Sequence, residues 1–294
     1  MSTGRLVPIA DGHCHTNPVR GMGAEKVAER FRAQGGWFIT LVALSPWAYS
    51  IEFTGLDSYK EMIEIHIREC MNASKAGLET ACLAGFHPAD IDKLIDKYRM
   101  KPIDVLELGK SVLEYVASLC DEGVLDGIGE VGRQHYKTFS YRAVISQYLM
   151  EYALELARDH GCVVHLHLEQ EGETTLRLVD IPVEKIGLTP EVKRQIVFHH
   201  SKPSLALLVT KYGYSSTVPG TPQLTTKVLG KIDPVFVLES DFIDDPARPG
   251  AVVYPWIMAD TVQRLVAHRS VDEEYIYRIN VDNVEKIYGV VYRG

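Results

Sequence analysis

His13 and His15 close the first apolar run of the chain, Ile9-Ala10-Asp11-Gly12-His13-Cys14-His15, and an alternating pair of imidazoles is chemistry for holding a divalent metal ion. Alternate residues of a β-strand share a face, so both rings reach one ion while Cys14 points the other way. Asp11 falls on the same face one step deeper, where its carboxylate is placed to accept a ring N–H and fix the tautomer of a ligating histidine. Two imidazoles do not hold an ion alone, and the chain supplies further groups. They are His87 in Gly85-Phe86-His87-Pro88, Glu130 in Gly127-Ile128-Gly129-Glu130-Val131-Gly132-Arg133, and His167 in His165-Leu166-His167-Leu168-Glu169. The pair His199-His200 and the acid Asp241 in Glu239-Ser240-Asp241 complete the set. Imidazoles and carboxylates without clustered thiolates suit one or two ions, Zn²⁺ first and Mn²⁺ or Mg²⁺ as alternatives. Glu130 is the candidate bridge between two ions ~3.5 to 4 Å apart, which would activate a water and polarise the bond under attack. Asp241 is the candidate that ligates the His13/His15 ion and takes the proton from that water.

Such groups must be carried to one place, and the elements that do so are visible as alternating apolar runs and amphipathic stretches. The strand-like runs are Val7 to His15, Trp37 to Leu44, Thr80 to His87, Leu125 to Val131, Cys162 to Leu168, Gln195 to His200, Ser215 to Val218 and Val235 to Phe242. Between them lie segments with apolar residues three and four apart, among them 23–34, 58–75, 104–121, 141–160 and 255–268. Eight such units predict an α/β fold, a (β/α)8 TIM barrel read as one domain over 1–294. An open doubly wound sheet has the same alternation, but no Gly-x-Gly-x-x-Gly loop follows the first strand. In the barrel the active face is the C-terminal end of the strands. Seven of the eleven histidines fall at predicted strand ends, so the ligand-type residues converge on that face.

Composition narrows the partners. A net charge of −8 argues against broad binding along a phosphate backbone, leaving room for a local basic groove. No apolar run approaches the roughly 18 residues of a membrane helix, and no signal-peptide pattern opens the chain, so a cytoplasmic location without membrane association is expected. The partners expected are a small-molecule or nucleic-acid substrate, with no obligatory protein partner. The five scattered cysteines predict no disulfide framework and no zinc knuckle, and most read as small core residues.

These residues resemble the TatD-related metal-dependent hydrolases, which are similar in turn to the wider amidohydrolase superfamily of (β/α)8 enzymes. The motifs that carry the resemblance are Asp11 to His15, Gly85 to Pro88, Ile128 to Tyr136, Leu166 to Glu169, Val197 to Ser201 and Glu239 to Pro246, spread from Asp11 to about Gly289. The match is best to an archaeal, largely uncharacterised branch. The resemblance implies that His13, His15 and Asp241 hold one ion, His167 and His199 the other, and that Glu130 bridges them. It implies hydrolysis of phosphoester bonds, including those of nucleic acid. An amidase- or lactonase-type C–N or C–O hydrolase is the alternative, and a metal-binding scaffold is the non-enzymatic one. Nucleases of the family often carry Arg where Glu169 stands, and a His-Cys-Phe-type sequence where this chain has His199-His200-Ser201.

The remaining candidates have plainer readings beside them. His87, Arg133 and His135 are candidate substrate contacts, with helix capping or surface solvation as the alternative. His165, below His167, reads as a hydrogen-bonded core histidine, with Glu239 as its expected partner inside the barrel. His199 and His200 should face opposite ways on a regular strand; parity does not choose between them, and the resemblance favours His199. His66, His160 and His268 read as structural. Asp244, Asp245 and Arg248 are expected to shape the loop after the last strand. Trp37, Trp47 and Trp256 are either cleft-lining or packing residues.

Overall fold

The computed structural model describes residues 6–247 and 252–294; Arg248 lies outside them. Nine parallel strands form one curled sheet with the neighbour order β8-β7-β6-β5-β4-β3-β2-β1-β9, the α/β TIM-barrel arrangement. The strands are β1 (Ile9–His15), β2 (Gly36–Val42), β3 (Glu79–Ala84), β4 (Gly127–Gly132), β5 (Val163–His167), β6 (Ile196–Phe198), β7 (Ser215–Pro219), β8 (Val237–Glu239) and β9 (Phe242–Ile243). Helices cover the outside, beginning with α1 (Ala24–Arg32), α2 (Leu56–Lys75), α3 (Pro88–Asp96), α4 (Pro102–Asp121), α5 (Ser140–His160) and α6 (Glu173–Ile186). Among the described residues no helix is long and apolar enough to cross a membrane.

Two apolar layers follow from the strand alternation. Outward-facing Ile9, Ile39, Leu41, Ile128 and Val164 pack against the helices, whereas Ala10, Phe38, Val42, Ala81, Leu83, Val163, Val197 and Val237 fill the barrel. Val284 and Ile287 of the last helix, Asn283–Tyr288, join that inner layer from below, so this helix plugs the barrel's N-terminal end. Tyr288 rises from the plug against Phe38 and reaches the histidine layer above.

Three departures from the sequence pattern matter for the site. The last predicted strand is broken at Ser240–Asp241: β8 pairs with β7 and its continuation β9 pairs with β1, so this one run borders both ends of the sheet. Asp241 takes φ +44° at the corner, and its N–H donates to the His13 carbonyl at 2.9 Å. The sixth strand stops at Phe198, not His200, and His200 takes φ +55°. In β1 the register with β2 slips between Asp11 and Cys14. Gly12 sits within that slip, where a Cβ would lie 2.6 Å from the Thr217 methyl.

Cys70 of α2 and Cys82 of β3 form a disulfide, contrary to the expectation of none. The eleven residues between them carry the helix-to-strand return that brings the pair together, a proximity that spacing alone does not encode. Cys14 and Cys162 are buried as expected.

Candidate metal centre

The strand ends bring His13, His15, Glu130, His167, His199 and Asp241 into one cluster, all buried or half-buried. Glu130 stands at its centre. One carboxylate oxygen, Oε1, lies 3.2 Å from both His13 Nε2 and His15 Nε2. The other, Oε2, lies 2.6 Å from His167 Nδ1 and 3.5 Å from His199 Nε2. Asp241 Oδ1 is 3.7 Å from His15 Nε2, on the first side.

The protons of the imidazoles can be placed from their outer hydrogen bonds. His15 Nδ1 donates to the Val42 carbonyl at 2.8 Å, which leaves its Nε2 lone pair facing the cluster. His199 Nδ1 donates to Glu239 Oε2 at 3.2 Å, which turns its Nε2 toward Glu130. His13 Nδ1 meets His165 Nδ1 at 2.9 Å, and His165 Nε2 meets the Tyr288 hydroxyl at 2.9 Å, which in turn donates to the Gly12 carbonyl at 3.4 Å. Read as a chain of donors, His13 gives its Nδ1 proton to His165, His165 gives its Nε2 proton to Tyr288, and His13 Nε2 is left bare. The inner nitrogens of three imidazoles therefore converge on one carboxylate. His13 Nε2 and His15 Nε2 are only 3.2 Å apart, an opposition of lone pairs that requires a cation or a proton between them. The donor set fits a pair of borderline divalent ions on either side of Glu130.

Charge in the cluster behaves accordingly. Burial alone would raise the Glu130 carboxyl, but His199, His13, His15 and His167 around it hold it well below the usual carboxylate range. Burial opposes charge on His199 as well, yet Glu239 and Glu130 raise it to about 9. His200 is raised to about 10, against its own burial, by Asp241 and Glu239. Burial, followed by His199, lowers His13, and burial chiefly lowers His167 to about 4.

Several expectations are redirected by these contacts. His165 pairs with His13 and Tyr288, not Glu239; Glu239 instead serves His199, His200 and Thr217. Asp11 fixes no ring tautomer, because the slip in β1 turns it away; its Oδ1 accepts the N–H groups of Ser240 and His13 and ties β1 to the β8–β9 corner. Burial raises its carboxyl to about 7.

His200 lies in the turn that follows β6. Its left-handed backbone turns the ring into the site, with Nδ1 3.0 Å from Asp241 Oδ2 and 3.1 Å from Glu239 Oε1. Strand parity missed it because the strand had already ended. A sequence signal was present nonetheless: two adjacent histidines followed by Ser201 and Pro203 mark a turn.

Of the predicted substrate contacts, His87 both caps α3, accepting the Ala89 N–H on Nδ1 at 3.0 Å, and points Nε2 at Glu130 Oε2 from 3.5 Å. Its proton is therefore on Nε2, and it faces the centre as a donor rather than a ligand. Arg133 is spent elsewhere: its guanidinium is buried in a two-pronged ion pair with Glu169 and a bond to Gln147. His135 does line the mouth, a 330 Å³ cavity that also contains Glu169, Glu171, His200, Asp241 and Lys202. Lys202 was not singled out from sequence, since one lysine before a helix carries no signal. The tryptophans pack elsewhere, Trp47 beneath the Lys93 ammonium and Trp256 between Arg30 and Tyr254. Asp244 holds the loop after β1 through the N–H groups of Met22 and Gly23, and Asp245 caps its own turn at Ala247. His66 is buried against the Leu41 carbonyl, and His160 and His268 make local surface contacts.

A family model described as TatD related DNase matches residues 10–289. The chain belongs to the TatD family. An uncharacterized protein of Methanocaldococcus jannaschii is 28% identical over 294 residues, covering 98% of both chains. Among solved structures, YJJV, a TatD homologue from Escherichia coli, superposes with a TM-score of 0.61 at 19% identity, covering 96% of this chain and 98% of its own. An uncharacterized amidohydrolase from Saccharomyces cerevisiae gives a TM-score of 0.63 at 12% identity, covering 96% of this chain and 100% of that one. A dihydroorotase from Campylobacter jejuni gives 0.59 at 16%, covering 98% and 85%. For this TatD-family chain the structural neighbours show the barrel fold, and family membership indicates a metal-dependent hydrolase.

Proposed function

We propose that the chain hydrolyses phosphoester bonds with two divalent ions, His13, His15 and Asp241 holding one, His167 and His199 the other, and Glu130 joining them. The observation that carries this reading is the division of Glu130, one oxygen toward the His13/His15 pair and the other toward His167 and His199. Ions of the Zn²⁺, Mn²⁺ or Mg²⁺ type supply Lewis acidity there, lowering the pKa of a water and polarising the bond under attack.

The chain's own groups do the rest. Asp241 is half-buried in the cavity wall with Oδ2 held by His200, so its carboxylate is anchored while it takes up a proton. His87 presents an Nε2–H donor toward the centre, and His135 and Lys202 stand at the mouth where a phosphate oxygen would lie. The cavity accommodates a small substrate or the end of a longer one.

A second reading, hydrolysis of a C–N or C–O bond, is favoured by one observation: the Arg133 guanidinium is neutralised by Glu169, and both Glu169 and Glu171 line the mouth. The deciding experiment strips the purified protein of metal, reloads it with Zn²⁺, Mn²⁺ or Mg²⁺, and assays phosphodiesters, phosphomonoesters, single-stranded DNA, amides and lactones. Turnover of a phosphoester that requires metal and disappears in His13→Ala is expected. Turnover confined to amides or lactones would replace the first reading with the second.

A further inference from the structure

A second group of metal-ligating side chains lies outside the barrel mouth, between α2 and β3. His66 and Cys70 are four residues apart on α2 and therefore on one face of the helix, a spacing that lets two side chains grip one ion. Cys82, on β3, completes the group; one ligand atom from each residue falls within 4.8 Å of the others. All three side chains are buried, with His66 fully so, and His66 Nε2 is 3.5 Å from the Cys70 sulfur. In the structure the two sulfurs are joined as a disulfide.

We propose that Cys70, Cys82 and His66 form a thiolate-type metal site that exists only in the reduced protein, taking up a thiophilic divalent cation such as Zn²⁺, and that disulfide formation closes it. The chemistry of the set differs from the mouth, where the ligands are imidazoles and carboxylates; two thiolates and an imidazole select Zn²⁺ or a softer ion over Mg²⁺. His66 is suited to ligation because burial, its main perturbation, lowers it to about 4 and keeps the ring neutral. Its Nε2 now faces the Leu41 carbonyl at 3.2 Å while Nδ1 is buried without a hydrogen-bond partner, so moving the ring proton to Nδ1 bares the nitrogen nearest the sulfur.

Access is provided by a surface cavity of 370 Å³ lined by Cys70, Cys82, Met71, Ser74, Lys75 and Asp126. A reductant reaches the disulfide through it, and a water entering by the same route completes a four-coordinate ion. The opening step is thiol–disulfide exchange: a dithiol gives two electrons and two protons to the Cys70–Cys82 bond, leaving two thiols and an oxidised dithiol. Metal uptake then releases those two thiol protons without further electron transfer.

The test compares reduced and oxidised forms of the unaltered protein, so it does not depend on a variant folding. After reduction by a dithiol and anaerobic desalting, Co²⁺ is titrated in and the thiolate-to-Co²⁺ charge-transfer absorption recorded, and bound Zn²⁺ is counted in both forms. The reduced form is expected to show the absorption and about one more Zn²⁺ than the oxidised form. Cys82→Ser should abolish both, His66→Gln should weaken the site at least tenfold, and His13→Ala should leave the thiolate absorption in place. Equal Zn²⁺ counts in the two forms, no thiolate absorption, absorption that survives Cys82→Ser, or a disulfide that a dithiol does not reduce in the folded protein would each overturn the proposal.

Discussion

The two sides of the Glu130 carboxylate are built differently. On the β1 side, His13 and His15 alternate about an outward Cys14, are almost completely buried, and have their outer nitrogens fixed by His165 and the Val42 carbonyl. On the opposite side, His167 ends β5 and His199 follows the end of β6, and both line the cavity at the mouth, into which the left-handed His200 also turns. The first side is closed off from solvent; the second opens on the mouth. Under the two-ion reading each side holds an ion, and the difference teaches that access is divided across one carboxylate, with Glu130 belonging to both sides.

Removing the shared residue should have the largest effect. Glu130→Gln is expected to empty both sides of metal and reduce turnover roughly 10³-fold or more, since the lost stabilisation is several kcal/mol. Metal analysis beside an activity assay checks this, and retention of both ions would break the division. Asp241→Asn should separate the functions, lowering kcat ~10² to 10⁴-fold, the range of a lost general base, while ions remain bound around Glu130. His200→Ala, which frees the same carboxylate from its anchor, should cost about tenfold in kcat with the metal count unchanged.

The closed side is sharpened by its outer hydrogen bonds. His165→Gln is expected to weaken metal affinity by roughly 10 to 100-fold, as for other partners that orient a ligand, and Tyr288→Phe by less. A chelator competition measures this, and an unchanged affinity in both variants would show that the His13–His165–Tyr288 chain only packs.

The smallest effect is a pH slope. In the metal-free protein His199 is held up to about 9, so at neutral pH an incoming ion displaces a proton from it. Affinity should rise by up to about tenfold per pH unit toward pH 9 and flatten above, with proton release measurable in weak buffer. The same raised value means that His199 stabilises the metal-free fold below about pH 6.5, a contribution lost as pH climbs through about 9.

What the sequence made legible follows the same divide. The barrel, the strand ends and the His13/Glu130/His167/His199/Asp241 cluster were readable because parallel strands impose a repeating apolar code and buried acids or imidazoles interrupt it conspicuously. His200 and Asp11 escape strand alternation, one past a strand terminus and the other at a register slip beside Gly12. The neutralisation of Arg133 by Glu169 joins the ends of two adjacent strands, a contact that no local pattern reports. The Cys70–Cys82 pairing was hidden for the same reason.

The central claim is that Glu130 joins two metal positions, and anomalous scattering from crystals of the Zn²⁺- or Mn²⁺-loaded protein tests it most directly. The account predicts two anomalous peaks, one beside His13, His15 and Asp241 and the other beside His167 and His199, with the Glu130 carboxylate between them. A single peak that Glu130 does not touch, or peaks away from this cluster, would contradict it.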